Sequence, residues 1–121
     1  MSSSERMPLV EKYGFGSMRI GGRAYYADLS VSGGAIARWW REESHLVQPA
    51  DIDSILALKP DVLVIGTGQS GRVQVSDEAK RLCEEAGVEL IAERTARAVE
   101  SYNAIVREGN RSVAAAFHLT C

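Results

Sequence analysis

The chain has 121 residues, of which 45% are hydrophobic and 25% charged, and a formal net charge of −2. That is room for one domain, since domains run on the order of 100–150 residues, with a core large enough to stand without staples. The near-neutral balance argues against a nucleic-acid or anionic-membrane partner, and no segment approaches the roughly 20 apolar residues that span a bilayer. The two cysteines, Cys83 and Cys121, make no spaced framework, which points to a reducing cytoplasm.

Residues 1–12 lack the apolar run of a signal peptide and read as a disordered tail, with a single domain over 13–121. From Tyr13 to Trp40 the pattern is strand-like. Tyr25, Ala27, Leu29 and Val31 alternate with Tyr26, Asp28 and Ser30, which predicts one apolar and one mostly polar face. Gly21-Gly22 and Gly33-Gly34 suit two-residue hairpin turns that need positive φ. Ile36 to Arg41 is read as a further strand, with Trp39 and Trp40 on opposite faces, so the whole region is an antiparallel meander.

The period then changes. Pro49 suits the first turn of a helix whose apolar stripe is Ile52, Ile55, Leu56 and Leu58. Pro60-Asp61 stops it and launches Val62–Ile65, an apolar run typical of a strand covered on both faces. Ser76 is an expected N-cap, with Ala79, Leu82, Cys83 and Ala86 facing inward and Gly87 as the stop. Val88 to Ala92 is another strand. Thr95 is expected to cap a helix with Ala98, Val99, Tyr102, Ile105 and Val106 on its inner face. Ser112 to Thr120 closes the chain as a strand. Helices alternating with strands predict a layered α/β sheet domain.

Gly66-Thr67-Gly68-Gln69-Ser70-Gly71 matches G-x-G-x-x-G directly after a buried strand, and Glu93 lies 22 residues beyond Gly71. Both are features of the dinucleotide fingerprint. Two observations weigh against that reading. Arg72–Val75 intervene before the Ser76 cap, so the helix dipole does not start inside the motif, and only one βαβ unit is in view. What remains is a glycine-dependent turn at a strand's carboxyl end. There Thr67, Gln69, Ser70, Arg72 and free amides of Gly66, Gly68 and Gly71 could bind a small anion, with Thr95 and His118 nearby.

His118-Leu119-Thr120-Cys121 invites a Cys/His or metal reading. Strand alternation puts His118 and Cys121 on opposite faces, so neither a dyad nor a metal site is expected, and His118 is read as a core-strand residue. Trp39, Trp40, Arg41 and His45 form a second cluster, one tryptophan expected in the core and the other under a loop or exposed as a partner anchor. Asp51 and Asp53 fit a helix's first turn, and Asn103 either braces a neighbouring segment or faces water. The chain contains no nucleophile elbow, His-Glu-x-x-His pair or P-loop lysine.

Gly22 and Asp28, Trp40-Arg41 with His45, and Pro60-Asp61-Val-Leu-Val-Ile-Gly66-Thr-Gly68 follow one another in a recognisable order, as do Thr95, Ala98, Tyr102-Asn103 and the ending His118-Leu-Thr-Cys121. In these motifs the chain from about Tyr13 resembles the small Mth-type α/β domain family, which includes an adipogenesis-associated protein and, more distantly, a mitochondrial complex I assembly factor. The resemblance implies a three-layer fold with a mixed central sheet and an antiparallel N-terminal layer, a glycine loop that is not a dinucleotide site, and an assembly or interaction role without a defined reaction. The expectation is therefore a cytoplasmic, non-catalytic interaction or assembly domain, monomeric or weakly dimeric, needing no cofactor. Its partner is an unidentified protein or small anion. The competing expectation is a small-molecule or nucleotide-binding enzyme using Gly66–Gly71 as an anion hole.

Overall fold

A computed structural model of the chain describes residues 7–121. The element order is β1 (Val10–Gly14), β2 (Ser17–Ile20), β3 (Arg23–Tyr25), β4 (Leu29–Ser32), β5 (Ala35–Arg38), β6 (Leu46–Val47), α1 (Pro49–Leu56), β7 (Val62–Thr67), β8 (Gln74–Val75), α2 (Asp77–Glu85), β9 (Glu89–Glu93), α3 (Thr95–Glu108) and β10 (Val113–His118). The central sheet runs β5-β4-β10-β7-β9. β10 pairs parallel with β7 and antiparallel with β4, so the last strand in sequence lies in the middle. β1-β2-β3 form a separate antiparallel sheet, and β6 and β8 a short parallel pair.

The alternation of side chains along β7 and β10 divides the core in two. Val62 and Val64, with Val113, Ala115 and Phe117, pack with α3 residues Ala98, Tyr102 and Ile105 and with Met18 and Ile20 of the small sheet. Leu63, Ile65, Ala114 and Ala116 face the other way, onto Ile52 and Ile55 of α1 and Ala79 and Cys83 of α2. Three layers result: α1 and α2, the mixed sheet, then α3 with the antiparallel sheet. The apolar run at Val62–Ile65 is buried throughout because both sheet faces are covered.

The expected meander divides. Tyr26–Asp28 interrupts the run between β3 and β4, and the chain changes sheets there. Leu29, Ser30 and Val31 are all buried, so the predicted polar face of this strand does not reach solvent. Gly21, Gly22, Gly33 and Gly34 do take positive φ in the hairpin turns. Pro49 opens α1 as expected, and the Asp51 carboxylate accepts the Gln48 N–H at 2.7 Å. Leu58 departs from the predicted stripe and is exposed, because α1 ends at Leu56 and the chain reverses through Lys59 at φ 55°.

Residues 10–12 of the expected tail belong to β1 instead. Val10 begins β1 and is buried, and Asn103 of α3 braces it, accepting the Val10 N–H and donating to the Val10 carbonyl, both at 2.9 Å. Tyr102 adds a hydrogen bond from its hydroxyl to the Pro8 carbonyl at 2.7 Å. Residues 1–6 of the predicted tail lie outside the described residues.

Candidate functional site

The carboxyl ends of β7 and β10 are adjacent, with Thr67 opposite His118. In open α/β sheets ligands gather outside this end of the strands, and here three chain segments meet. From the first comes Asp28, at the sheet-changing break before β4. From the second come Arg41 and His45, in the loop after the tryptophan pair. From the third come His118 and the residues after β10.

Asp28 organises the group. Its Oδ2 lies 2.6 Å from His118 Nδ1 and 3.0 Å from Arg41 Nη1, and its Oδ1 accepts the Leu119 N–H at 2.9 Å. A carboxylate only accepts, so the short contact places a proton on His118 Nδ1, and in the neutral imidazole Nε2 then carries the lone pair. Thr120 Oγ1 is 3.4 Å from that Nε2. Arg41 is the second side chain converging on the same acid, through Nη1, while its Nη2 donates to the Ser44 carbonyl at 2.8 Å and lies 3.2 Å from His118 Nδ1. Burial acts to raise the Asp28 pKa, but the hydrogen bonds from His118, Leu119 and Arg41, with the attraction of His118, outweigh it and hold the carboxyl below its ordinary value.

Of the tryptophans, Trp39 enters the core, donating from Nε1 to the Asp51 carbonyl at 3.0 Å and receiving the Arg41 guanidinium 4.5 Å above its ring. Trp40 is 73% exposed. The strand expected over Ile36–Arg41 ends at Arg38, yet the two side chains still part.

The glycine loop is occupied by the protein itself. The Gly68 N–H donates to Thr95 Oγ1 at 2.8 Å, the Gln69 N–H to the Thr120 carbonyl at 2.7 Å, the Gly71 N–H to the Gly68 carbonyl at 3.3 Å and the Arg72 N–H to the Cys121 carbonyl at 3.3 Å. These amides therefore form no open anion nest. Gly68, at φ +104°, lies so close to the following segment that a Cβ would come within 2.5 Å of the Cys121 backbone. Gly66 meets Thr95 and Phe117 in the same way. Gln69, Ser70 and Arg72 stay exposed, while Thr67 is buried. Thr95 is not the N-cap predicted for α3; Arg94 holds that place, and the buried Thr95 hydroxyl donates to the His118 carbonyl at 2.6 Å. α2 begins at Asp77, capped by Ser76 Oγ accepting from the Ala79 N–H at 3.0 Å, well past the glycines. Glu93, the acid that a dinucleotide site would direct to a ribose, accepts instead from Ser101 at 2.8 Å.

Strand alternation does not keep His118 and Cys121 apart. β10 ends at His118, and the next three residues leave the strand because Asp28 and the glycine loop take their backbone groups. One ligand atom each from His45, His118 and Cys121 consequently lies within 4.8 Å of the others. His45 Nε2 is 3.9 Å from Cys121 Sγ. The sequence reading missed Asp28 as a site residue, though it stands as an acid breaking an apolar strand run.

Residues 10–118 match the family described as "Protein of unknown function (DUF498/DUF598)". The chain belongs to that family. A solved structure of a conserved hypothetical protein, PH1505 from Pyrococcus horikoshii OT3, is 28% identical, with a TM-score of 0.84 over 93% of this chain and 98% of that one. The protein MT938 is 25% identical, with a TM-score of 0.80 over 94% and 99% of the two chains. A Mth938-like domain from Bordetella pertussis shares the fold at 22% identity and a TM-score of 0.70, over 98% of this chain and 90% of that one. The chain is thus an Mth-type α/β domain, as its motifs implied. Among the described residues no helix is long and apolar enough to cross a membrane.

Proposed function

We propose that this Mth-type domain is a non-catalytic interaction or assembly factor of the cytoplasm, and that it captures an extended segment of another protein along β5. The observation that carries this reading is Trp40, a tryptophan 73% exposed beside a rigidly held Arg41. Large aromatic anchors of this kind dominate binding energy at interfaces. β5 is an edge strand of the central sheet, and Ala35, Ala37 and Arg38 on it are exposed. A groove of about 350 Å³ runs beside it, lined by Tyr25, Tyr26, Asp28, Ile36 and Arg38 among others. Tyr26 is itself 77% exposed. An open strand edge flanked by aromatic side chains suits addition of one more strand, with main-chain bonds giving affinity and side-chain pockets giving specificity.

The enzyme alternative needs Gly66–Gly71 as an anion hole, and there the amides of Gly68, Gln69 and Gly71 are spent on Thr95, the Thr120 carbonyl and the Gly68 carbonyl. A photo-crosslinking side chain placed at Trp40 or Ala37 in the native cell tests the proposal, with Glu84 on the exposed face of α2 as the control position. The expected result is one heterologous adduct from both test positions, whose purified protein loses affinity for a W40A variant. Adducts no stronger than the Glu84 control, or adducts only with a second copy of the chain, overturn it.

A further inference from the structure

We propose that His45, His118 and Cys121 bind a thiophilic transition-metal ion of the zinc type. The site stands independently of whether Trp40 docks a partner. One donor atom from each residue already lies within 4.8 Å of the others, although they come from a loop, a strand end and the segment beyond it. In a tetrahedral zinc site a sulfur and a nitrogen ligand stand about 3.5 Å apart, given Zn–S near 2.3 Å and Zn–N near 2.0 Å. Cys121 Sγ and His45 Nε2 are 3.9 Å apart. His45 is exposed, so a small rotation of its side chain closes the remaining gap.

The least mobile ligand is the best prepared. His118 is buried, and Asp28 holds its Nδ1–H at 2.6 Å, so Nε2, whose other neighbour is Thr120 Oγ1 at 3.4 Å, is the atom that can ligate. A carboxylate behind the ring fixes tautomer and orientation and raises ligand basicity, which is the outer-shell arrangement typical of metal-bound histidine. Asp28 is held in turn by Arg41 and the Leu119 N–H. The other two ligands are also anchored through their backbones: the His45 carbonyl accepts from the Gln74 N–H at 2.9 Å, and the Cys121 carbonyl from the Arg72 N–H at 3.3 Å. The glycine loop thus holds a ligand of the ion rather than a phosphate.

Two imidazoles and a thiolate select zinc-like or copper-like ions over magnesium and calcium, which require oxygen ligands. Binding displaces the Cys121 thiol proton to solvent, and three protein ligands leave a fourth position facing outward.

Cobalt(II) titration of the full chain, followed by zinc(II) competition against a chromogenic chelator, tests the site. One equivalent of cobalt should produce tetrahedral d–d bands and a thiolate-to-cobalt charge-transfer band. C121S should abolish the charge-transfer band. H45A should cost more zinc affinity than the about 10–100-fold that loss of an outer-shell partner costs. C83A, which changes the other cysteine in the apolar core beneath α2, should keep both. D28N should lower affinity about 10–100-fold as an outer-shell partner. Asp28 also braces the fold, whereas His45 and Cys121 reach the surface, so their variants keep the test readable if D28N unfolds. Cobalt bound without a thiolate band, or zinc bound by H45A and C121S as tightly as by the parent chain, overturns the proposal.

Discussion

Asp28 and His118 meet at 2.6 Å although 90 residues separate them, and their contact ties the sheet-changing break before β4 to the end of the central strand. Removing the carboxylate strands three buried donors, His118 Nδ1, Arg41 Nη1 and the Leu119 N–H. D28A is expected to cost about 3–5 kcal/mol, the range for breaking a buried charged pair. Denaturant melts with an unchanged m-value check it.

The same carboxylate sets an acid dependence. Its folded pKa lies below the ordinary value of 3.8, so the unfolded chain takes up the proton first as pH falls. Its stabilisation is complete above the unfolded pKa and declines as pH drops through the folded one. Thermal melts from neutral pH downward should fall more steeply below the usual carboxylate range in the parent chain than in D28N.

Gly68 should tolerate no side chain. G68A adds a Cβ within 2.5 Å of the Cys121 backbone at a φ of +104°, costing about 1–3 kcal/mol for the backbone conformation alone. The expected readout is local: faster hydrogen exchange at the Gln69 and Arg72 amides, whose acceptors are the Thr120 and Cys121 carbonyls.

The adjacent tryptophans should separate cleanly. W39A removes a core side chain, its hydrogen bond to Asp51 and its contact with Arg41, and should cost about 3–5 kcal/mol. W40A changes an exposed position and should stay within about 0.5 kcal/mol of the parent. Paired urea titrations of the two variants measure the difference.

Asn103 replaces a strand neighbour for Val10, satisfying both its N–H and its carbonyl. N103L leaves both groups unpaired in a buried place, at about 1–3 kcal/mol each. Limited proteolysis should then cut near β1 before any other site.

Much of the architecture was legible because it is local. The Val62–Ile65 run, the Ser76 cap and the α3 stripe of Ala98, Tyr102 and Ile105 announce themselves within a few residues. The convergence of Asp28, His45 and Cys121 on His118 was not legible, because most of these contacts span the greater part of the chain. Alternation was carried too far at two places. At Leu29–Val31 both faces of the strand are buried, and after His118 the backbone bonds to Asp28 and the glycine loop instead of continuing the ladder. Thr95 looked like a cap because its hydroxyl stands at a helix start, whereas that hydroxyl links Gly68 to His118.

The position of β10 also governs how the protein can be assembled in time. β4 and β7 have their shared neighbour only once the last strand is synthesised, so a ribosome-bound chain that still lacks it carries two unpaired apolar strand edges. Completion requires inserting a strand between them, a long-range closure that slows folding and leaves those edges exposed to aggregation until β10 is in place.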